Sequence, residues 1–143
     1  MPIHLWHTVF MASAAQAVSP APPHIDLQTI EAGLSLDTLA NFVAGSGLQF
    51  KDIYAIVIPA RTLKHRRSRQ EPLSLDEGDK FARLVRLFDQ AVRVFGNREK
   101  ALRWLGKPKE RFAGRTPLEM IRTEWGGRML EELLGQIDEG YFA

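Results

Sequence analysis

Residues 74–96 constrain the fold more than any other stretch of this chain. Ser74 and Glu77 form a capping-box pair, in which the serine oxygen accepts from the third helical N–H and the glutamate reaches back to the serine's own. Phe81, Leu84, Val85, Phe88, Ala91, Val92 and Phe95 then trace one stripe at helical spacing, and Gly96 offers the left-handed residue at which helices end. The spacing predicts a single long helix over 75–95. Its apolar stripe has to be covered by the rest of the chain.

The other segments supply helices to do so. Residues 26–32 read as a short helix closed by Gly33, and Ser35 caps a second over 36–43, ended by Gly45-Ser46-Gly47. Beyond Leu48, the residues Phe50, Ile53, Tyr54 and Val57 share one face until Pro59 interrupts; 60–69 restarts as a short basic helix. Asn97 caps a helix presenting Ala101, Leu102, Trp104 and Leu105, and 107–115, with Pro108 and Gly114, reads as a loop. Thr116, Pro117 and Glu119 form a helix start, with the missing N–H of proline at the first helical position costing nothing. A break is expected at Gly126-Gly127, followed by an amphipathic helix carrying Met129, Leu130, Leu133, Leu134 and Ile137. No alternating strand pattern of useful length and no internal repeat is present, so the fold class is all-α.

At 143 residues the chain holds one medium domain or two small ones sharing a core. Its formal charge of only +2 makes any nucleic-acid signal a matter of local clustering. Cysteine is absent, which removes disulfides, thiolate metal sites and a thiol nucleophile and fits a reducing cytoplasm. No apolar run approaches the roughly 20 residues needed to cross a bilayer. Residues 1–17 faintly resemble a secretory signal but lack the Lys or Arg that should precede its apolar part. Met11 is an alternative start, and 1–24 read as a proline-rich, poorly ordered tail.

Helix, tight interruption and short basic helix outline a helix-turn-helix. Arg61, Lys64, His65, Arg66, Arg67 and Arg69 concentrate positive charge suited to phosphates, and arginine is the commonest reader of guanine edges. Thr62 can bond a phosphate or pack on a thymine methyl, and Leu63 would anchor the helix to its scaffold. A solvated charged face is the competing reading. Val57-Ile58-Pro59 stand where a glycine turn is usual, so the turn should differ in geometry.

Catalytic groups are sparse. His4, His7 and His24 lie in the tail and His65 among cations; there is no HExxH, phosphate-cradling glycine loop or Gly-x-Ser-x-Gly. Glu131, Glu132, Asp138 and Glu139 read as a solvated helix face. Neither an enzyme, a cofactor nor a metal is expected.

Three pieces stand together: residues 58–66 (IPARTLKHR), residues 94–105 (VFGNREKALRWL), and residues 114–119 (GRTPLE) followed by Gly126 and the leucine-rich last helix. In this order and spacing they resemble the Xre/MbcA/ParS family of bacterial antitoxins over roughly residues 35–143. The resemblance implies an Xre-like helix-turn-helix region at 25–72 and a helical toxin-binding domain at 73–143. It implies a partner toxin with a RES domain, which destroys NAD⁺, and a helix-turn-helix part that forms a homodimer on the operon's promoter DNA. Arg61, Thr62, Lys64, His65, Arg66, Arg67 and Arg69 would face DNA. Leu130, Leu134, Ile137, Asp138, Glu139, Tyr141, Phe142 and Ala143 would grip the toxin and cover its NAD⁺ pocket. Trp104, Trp125 and the leucine stripe can serve core or interface. Helical spacing favours core for Trp104 and Leu105, whereas the terminal aromatics Tyr141 and Phe142 favour an interface. A stand-alone DNA-binding regulator with a C-terminal dimerisation domain is the alternative.

Overall fold

The computed structural model describes residues 23–140; the tail through residue 22 and Tyr141, Phe142 and Ala143 lie outside the described residues. Within them the elements are α1 (Leu27–Ala32), α2 (Leu36–Ser46), α3 (Phe50–Ile56), α4 (Ala60–Arg69), α5 (Leu75–Phe95), α6 (Arg98–Leu105), a 3-10 turn (Glu110–Phe112), α7 (Pro117–Met120) and α8 (Glu124–Asp138). No strand occurs among the described residues.

Local chemistry sets the boundaries. Asp26, Ser35, Ser74, Asn97, Thr116 and Thr123 each accept an N–H of the first turn that follows, a cap worth about 1 kcal/mol. At Ser74 the reciprocal bond from its own N–H to Glu77 is also made, at 2.8 Å. Gly96 ends α5 at φ 87°, where a Cβ would be strained. Helix α2 runs three residues beyond its expected end, through Gly45, and stops only at left-handed Gly47.

The long helix α5 is the rod on which the others lie. Phe81, Leu84, Leu87 and Ala91 are fully buried along it. Phe42 of α2 sets its ring edge-on to Phe81 at 5.5 Å and to Phe88 at 5.7 Å, contacts worth about 0.5–1.5 kcal/mol each beyond their burial. Ile53, Ile56, Val57 and Ile58 fill the core from the α3 side, and Ala101, Leu105, Ile121, Leu130 and Leu134 from the other. The expected face of α3 is corrected at one position. Tyr54 is exposed, resting near Phe50 at 6.1 Å between ring centres, and the inward face is Ile53 and Ile56.

The C-terminal break also falls elsewhere than expected. The chain turns at residues 121–123, and Gly126-Gly127 sit inside the first turn of α8. A Cβ on Gly126 would collide with the Met120 carbonyl, and one on Gly127 would lie 2.9 Å from the Arg83 side chain. These glycines permit close approach and do not break the helix.

Candidate functional site

Two surfaces emerge at opposite ends of the sequence order. The first is built on α3 and α4. Between them Val57 and Ile58 are buried, Pro59 is extended, and the Ile58 N–H donates to the Ile53 carbonyl at 3.1 Å. A turn that buries two β-branched residues replaces the glycine turn, as their presence in the sequence implied. Leu63 is buried and pins α4 to the core. Arg61, Lys64, His65, Arg67 and Arg69 are exposed, and Thr62 is partly so. Arg61, Lys64 and Arg67 have no carboxylate partner among the described residues, whereas Arg69 comes within 3.8 Å of Glu71.

Arg66 departs from the expected DNA-facing set. Three residues after Leu63, it lies on the scaffold side of α4 and spends its guanidinium on carboxylates. Nε and Nη2 donate to the two oxygens of Glu77 at 3.1 and 3.2 Å, and Nη1 donates to Glu71 at 3.0 Å. This fork holds the basic helix to the N-terminal cap of α5. Burial pushes the Glu77 carboxyl up, but donation from Arg66 and from the Ser74 N–H more than offsets it and leaves it below its ordinary 4.5. A depressed carboxylate contributes stability above the ordinary range and loses it as pH falls through the lowered value. Glu77→Gln keeps a capping acceptor but loses the charge, so its Tm should lie roughly 3 °C below the parent at neutral pH. The two melting curves, followed by circular dichroism, should converge as the pH drops below the carboxylate range.

The second surface is built on α7 and α8. Arg83, buried on α5, donates from Nε to the Ile121 carbonyl at 2.8 Å and from Nη2 to the Arg122 carbonyl at 3.2 Å, and Nη1 lies 3.5 Å from Glu124. It satisfies the carbonyls freed where α7 ends and seats the start of α8 on α5. Arg86 adds a 2.7 Å bond to Glu131. With the inner face so docked, the outer face of α8 presents Trp125 at 74% exposure and Met129 at 38%, one helical turn apart. Arg128 and Glu124 pair at 3.0 Å beside them, and the Arg128 guanidinium holds the Glu124 carboxyl below its usual range.

The expected toxin-facing residues divide. Leu130 and Leu134 have no exposed surface; they belong to the chain's own core because they share the inward face with Leu133. Ile137 is partly buried against that core, and Asp138 and Glu139 are exposed at the end of α8. Leu105 is buried, and Trp104 is partly buried with its ring 5.0 Å from Phe95. Trp125, left open between core and surface by its sequence, is the side chain α8 turns outward. Nothing in the sequence marks buried Arg83, since one arginine inside an amphipathic stripe carries no distinctive spacing.

Among the described residues no group of His, Asp or Glu is arranged to hold a metal, and no helix is long and apolar enough to cross a membrane. A shallow groove of about 490 Å³ runs between the segment leading into α1 and α5, lined by Ile25, Ile30, Ala82 and Val85 among others, and brings no catalytic set together.

The fold and these surfaces define a class: a helix-turn-helix protein carrying a second helical domain on a shared long helix. Comparison with known families agrees. Residues 27–86 match the antitoxin Xre-like helix-turn-helix domain, and residues 90–140 match the antitoxin Xre/MbcA/ParS C-terminal toxin-binding domain. A Pseudomonas putida protein named antitoxin Xre is 51% identical over 85 residues, 59% of this chain and 54% of that protein, so the match spans about half of the relative's length. Antitoxin Xre of Photorhabdus laumondii is 30% identical over 138 residues, covering 95% of this chain and 88% of that protein. Antitoxin Xre of Yersinia enterocolitica is 29% identical over 119 residues, 82% of this chain and 80% of its own. The chain belongs to the Xre/MbcA/ParS antitoxin family.

Proposed function

We infer that this protein is the antitoxin of a toxin–antitoxin pair and holds its toxin through the outer face of α8. The observation that carries this reading is Trp125, a large aromatic standing in solvent on a helix whose other side is anchored by Arg83 and Leu130. Aromatic anchors of this kind are enriched at the centres of protein interfaces. The toxin is of the RES class, which degrades NAD⁺, and the end of α8 with Tyr141, Phe142 and Ala143 covers the entrance to its pocket. Asp138 and Glu139 support this placement. They add negative charge at the negative end of the helix dipole, an arrangement that cationic groups of a dinucleotide-phosphate site relieve. Truncation before Gly140 tests the plug: neutralisation in cells should be lost, and full silencing by the shortened chain removes the tail from the mechanism.

The same chain represses its own operon. The basic helix α4 enters the major groove of promoter DNA, with the helix-turn-helix part paired as a homodimer; Leu27 and Leu75, both exposed, leave apolar surface for pairing. The supporting observation is the set Arg61, Lys64 and Arg67, presented outward without a carboxylate partner among the described residues. Replacing these three with alanine should flatten the salt dependence of DNA binding by about 2–3 in the log–log slope while leaving toxin neutralisation intact. Salt-insensitive binding that is unchanged in the variant would remove α4 from the repressor reading. Recovery of a homodimer without the product of the adjacent reading frame favours instead a stand-alone regulator.

A further inference from the structure

The cations of the described chain fall into two populations. Arg66, Arg69, Lys80, Arg83, Arg86, Arg93 and Arg128 each lie within salt-bridge distance of a carboxylate. Arg111, which has contacts of its own, stands apart; the described cations without such a partner gather in α4 and in one further place, residues 98–115, leaving only Lys51 and Arg122 elsewhere. That second place holds Arg98, Lys100, Arg103, Lys107, Lys109 and Arg115, and none of these six is ion-paired.

The fold concentrates them. Ala101 and Leu105 are buried, so α6 turns Lys100 and Arg103 to solvent on adjacent turns, and Lys107 follows past its end. The loop beyond is tied back on itself. The Lys109 N–H donates to the Arg115 carbonyl at 3.0 Å, and the Gly114 N–H donates to the Lys109 carbonyl at 3.0 Å, which brings Lys109 and Arg115 side by side. The Lys109 ammonium lies 4.9 Å over the Trp104 ring, a cation–π contact that fixes it without neutralising it. Desolvation and the neighbouring Lys107 charge hold the Lys109 ammonium below its usual range. A helix end favours one or two cations near its last carbonyls; six cations outside any ion pair, set against only Glu99 and Glu110 in the same stretch and joined by a half-buried tryptophan, exceed that need. Their mutual repulsion is relieved by a polyanion.

We propose that the surface formed by α6 and the loop through Arg115 is a second nucleic-acid contact, gripping the phosphate backbone of duplex DNA flanking the stretch read by α4. The inference rests on the reading of α4 as a DNA-contacting helix. Phosphate backbone fits better than an acidic protein surface because the exposed charges of α8, the helix given to the protein partner, already find partners within the chain, Arg128 with Glu124 on the helix itself and Glu131 with Arg86 of α5. The α6 cations share with those of α4 the property that backbone binding requires, which is freedom to release counterions. Contacts of this type add affinity and carry no sequence information.

The test uses the full chain, the Lys100→Gln/Arg103→Gln/Lys107→Gln variant and the Arg61→Gln/Lys64→Gln/Arg67→Gln variant. Duplexes of about 20 and about 40 base pairs from upstream of its own reading frame serve as probes, titrated by fluorescence anisotropy across a range of salt. The three α6-side residues are exposed, so the variant keeps its fold, checked by circular dichroism. The parent should bind the longer duplex with a steeper salt slope than the shorter one. In the α6-side variant the longer duplex should lose about 2–3 from that slope and about tenfold or more in affinity, with the shorter duplex unaffected. Extra sites on a longer duplex raise apparent affinity but not the slope, so the slope decides. A parent whose slope ignores length, or an α6-side variant that keeps the parental slope, overturns the proposal while α4 binding stands. An unchanged slope together with lost co-purification of the adjacent frame's product assigns the surface to an acidic partner and likewise overturns it. If the parent binds neither duplex, the DNA-contact reading falls and this inference with it.

Discussion

Replacing Gly126 with alanine is expected to destabilise the protein by roughly 2–4 kcal/mol, a fall in Tm of about 10 °C by thermal melting. Helix propensity alone predicts the opposite sign, since alanine is favoured over glycine in a helix interior by about 1 kcal/mol. The steric term wins because the added carbon would meet the Met120 carbonyl, which is backbone, and would lie 3.0 Å from the Thr123 hydroxyl. That backbone has nowhere to retreat: Pro117 and Ile121 on either side of it are fully buried. Gly135, later in the same helix, is the matched control. A Cβ there meets nothing within 4 Å, so Gly135→Ala should raise stability by up to about 1 kcal/mol. Equal effects at the two positions would mean that α8 does not sit on α7 as described.

The second large effect concerns partner binding. Trp125→Ala should leave Tm within about 2 °C of the parent, because the side chain is 74% exposed. It should weaken toxin binding by about 30-fold or more, the cost of removing an aromatic hot spot, measured by calorimetry or by loss of neutralisation. Leu130→Ala should behave in the reverse way: a fully buried leucine leaves a cavity costing about 2–5 kcal/mol of stability. Its binding loss should follow unfolding and vanish at temperatures where the variant is folded. Should Trp125→Ala bind as tightly as the parent, the outer face of α8 is not the grip.

Much of this fold was legible because its boundaries are written as side-chain caps. Ser74 with Glu77, Asn97, Thr116 and the glycine at 96 act within a few residues of themselves, so reading them needs no tertiary knowledge. What was hidden depends on contacts between segments far apart in the chain. Gly126-Gly127 read as a break since glycine marks both broken helices and close approach, and only the neighbouring Met120 carbonyl distinguishes them. Thr123, whose hydroxyl accepts the Gly126 N–H at 2.9 Å, was the available signal for where α8 begins. Composition groups Arg66 with the other cations of α4, and its position three residues from buried Leu63 is the clue that it turns inward. The strong cap at Ser74 marks where α5 begins, and the two matched family stretches, residues 27–86 and 90–140, meet inside that helix. One helix serves both parts, a sharing that local signals do not reveal.

That shared helix has a mechanical meaning. At 21 residues α5 is about 31 Å long. Near its start it is clamped to the basic helix by the Arg66 fork, and further along it is clamped to α8 by Arg83 and Arg86. There is no linker between the clamps to act as a swivel. The protein is a ruler: whatever binds the basic helix is held at a fixed distance and azimuth from whatever binds α8, with the two clamps six to nine residues apart on one helix. Communication between the two occupants has two routes, the stretch of α5 from Glu77 to Arg83 and the direct contact of α3 with α7, so the buried Phe81 between the clamps is where the rod's stiffness is set.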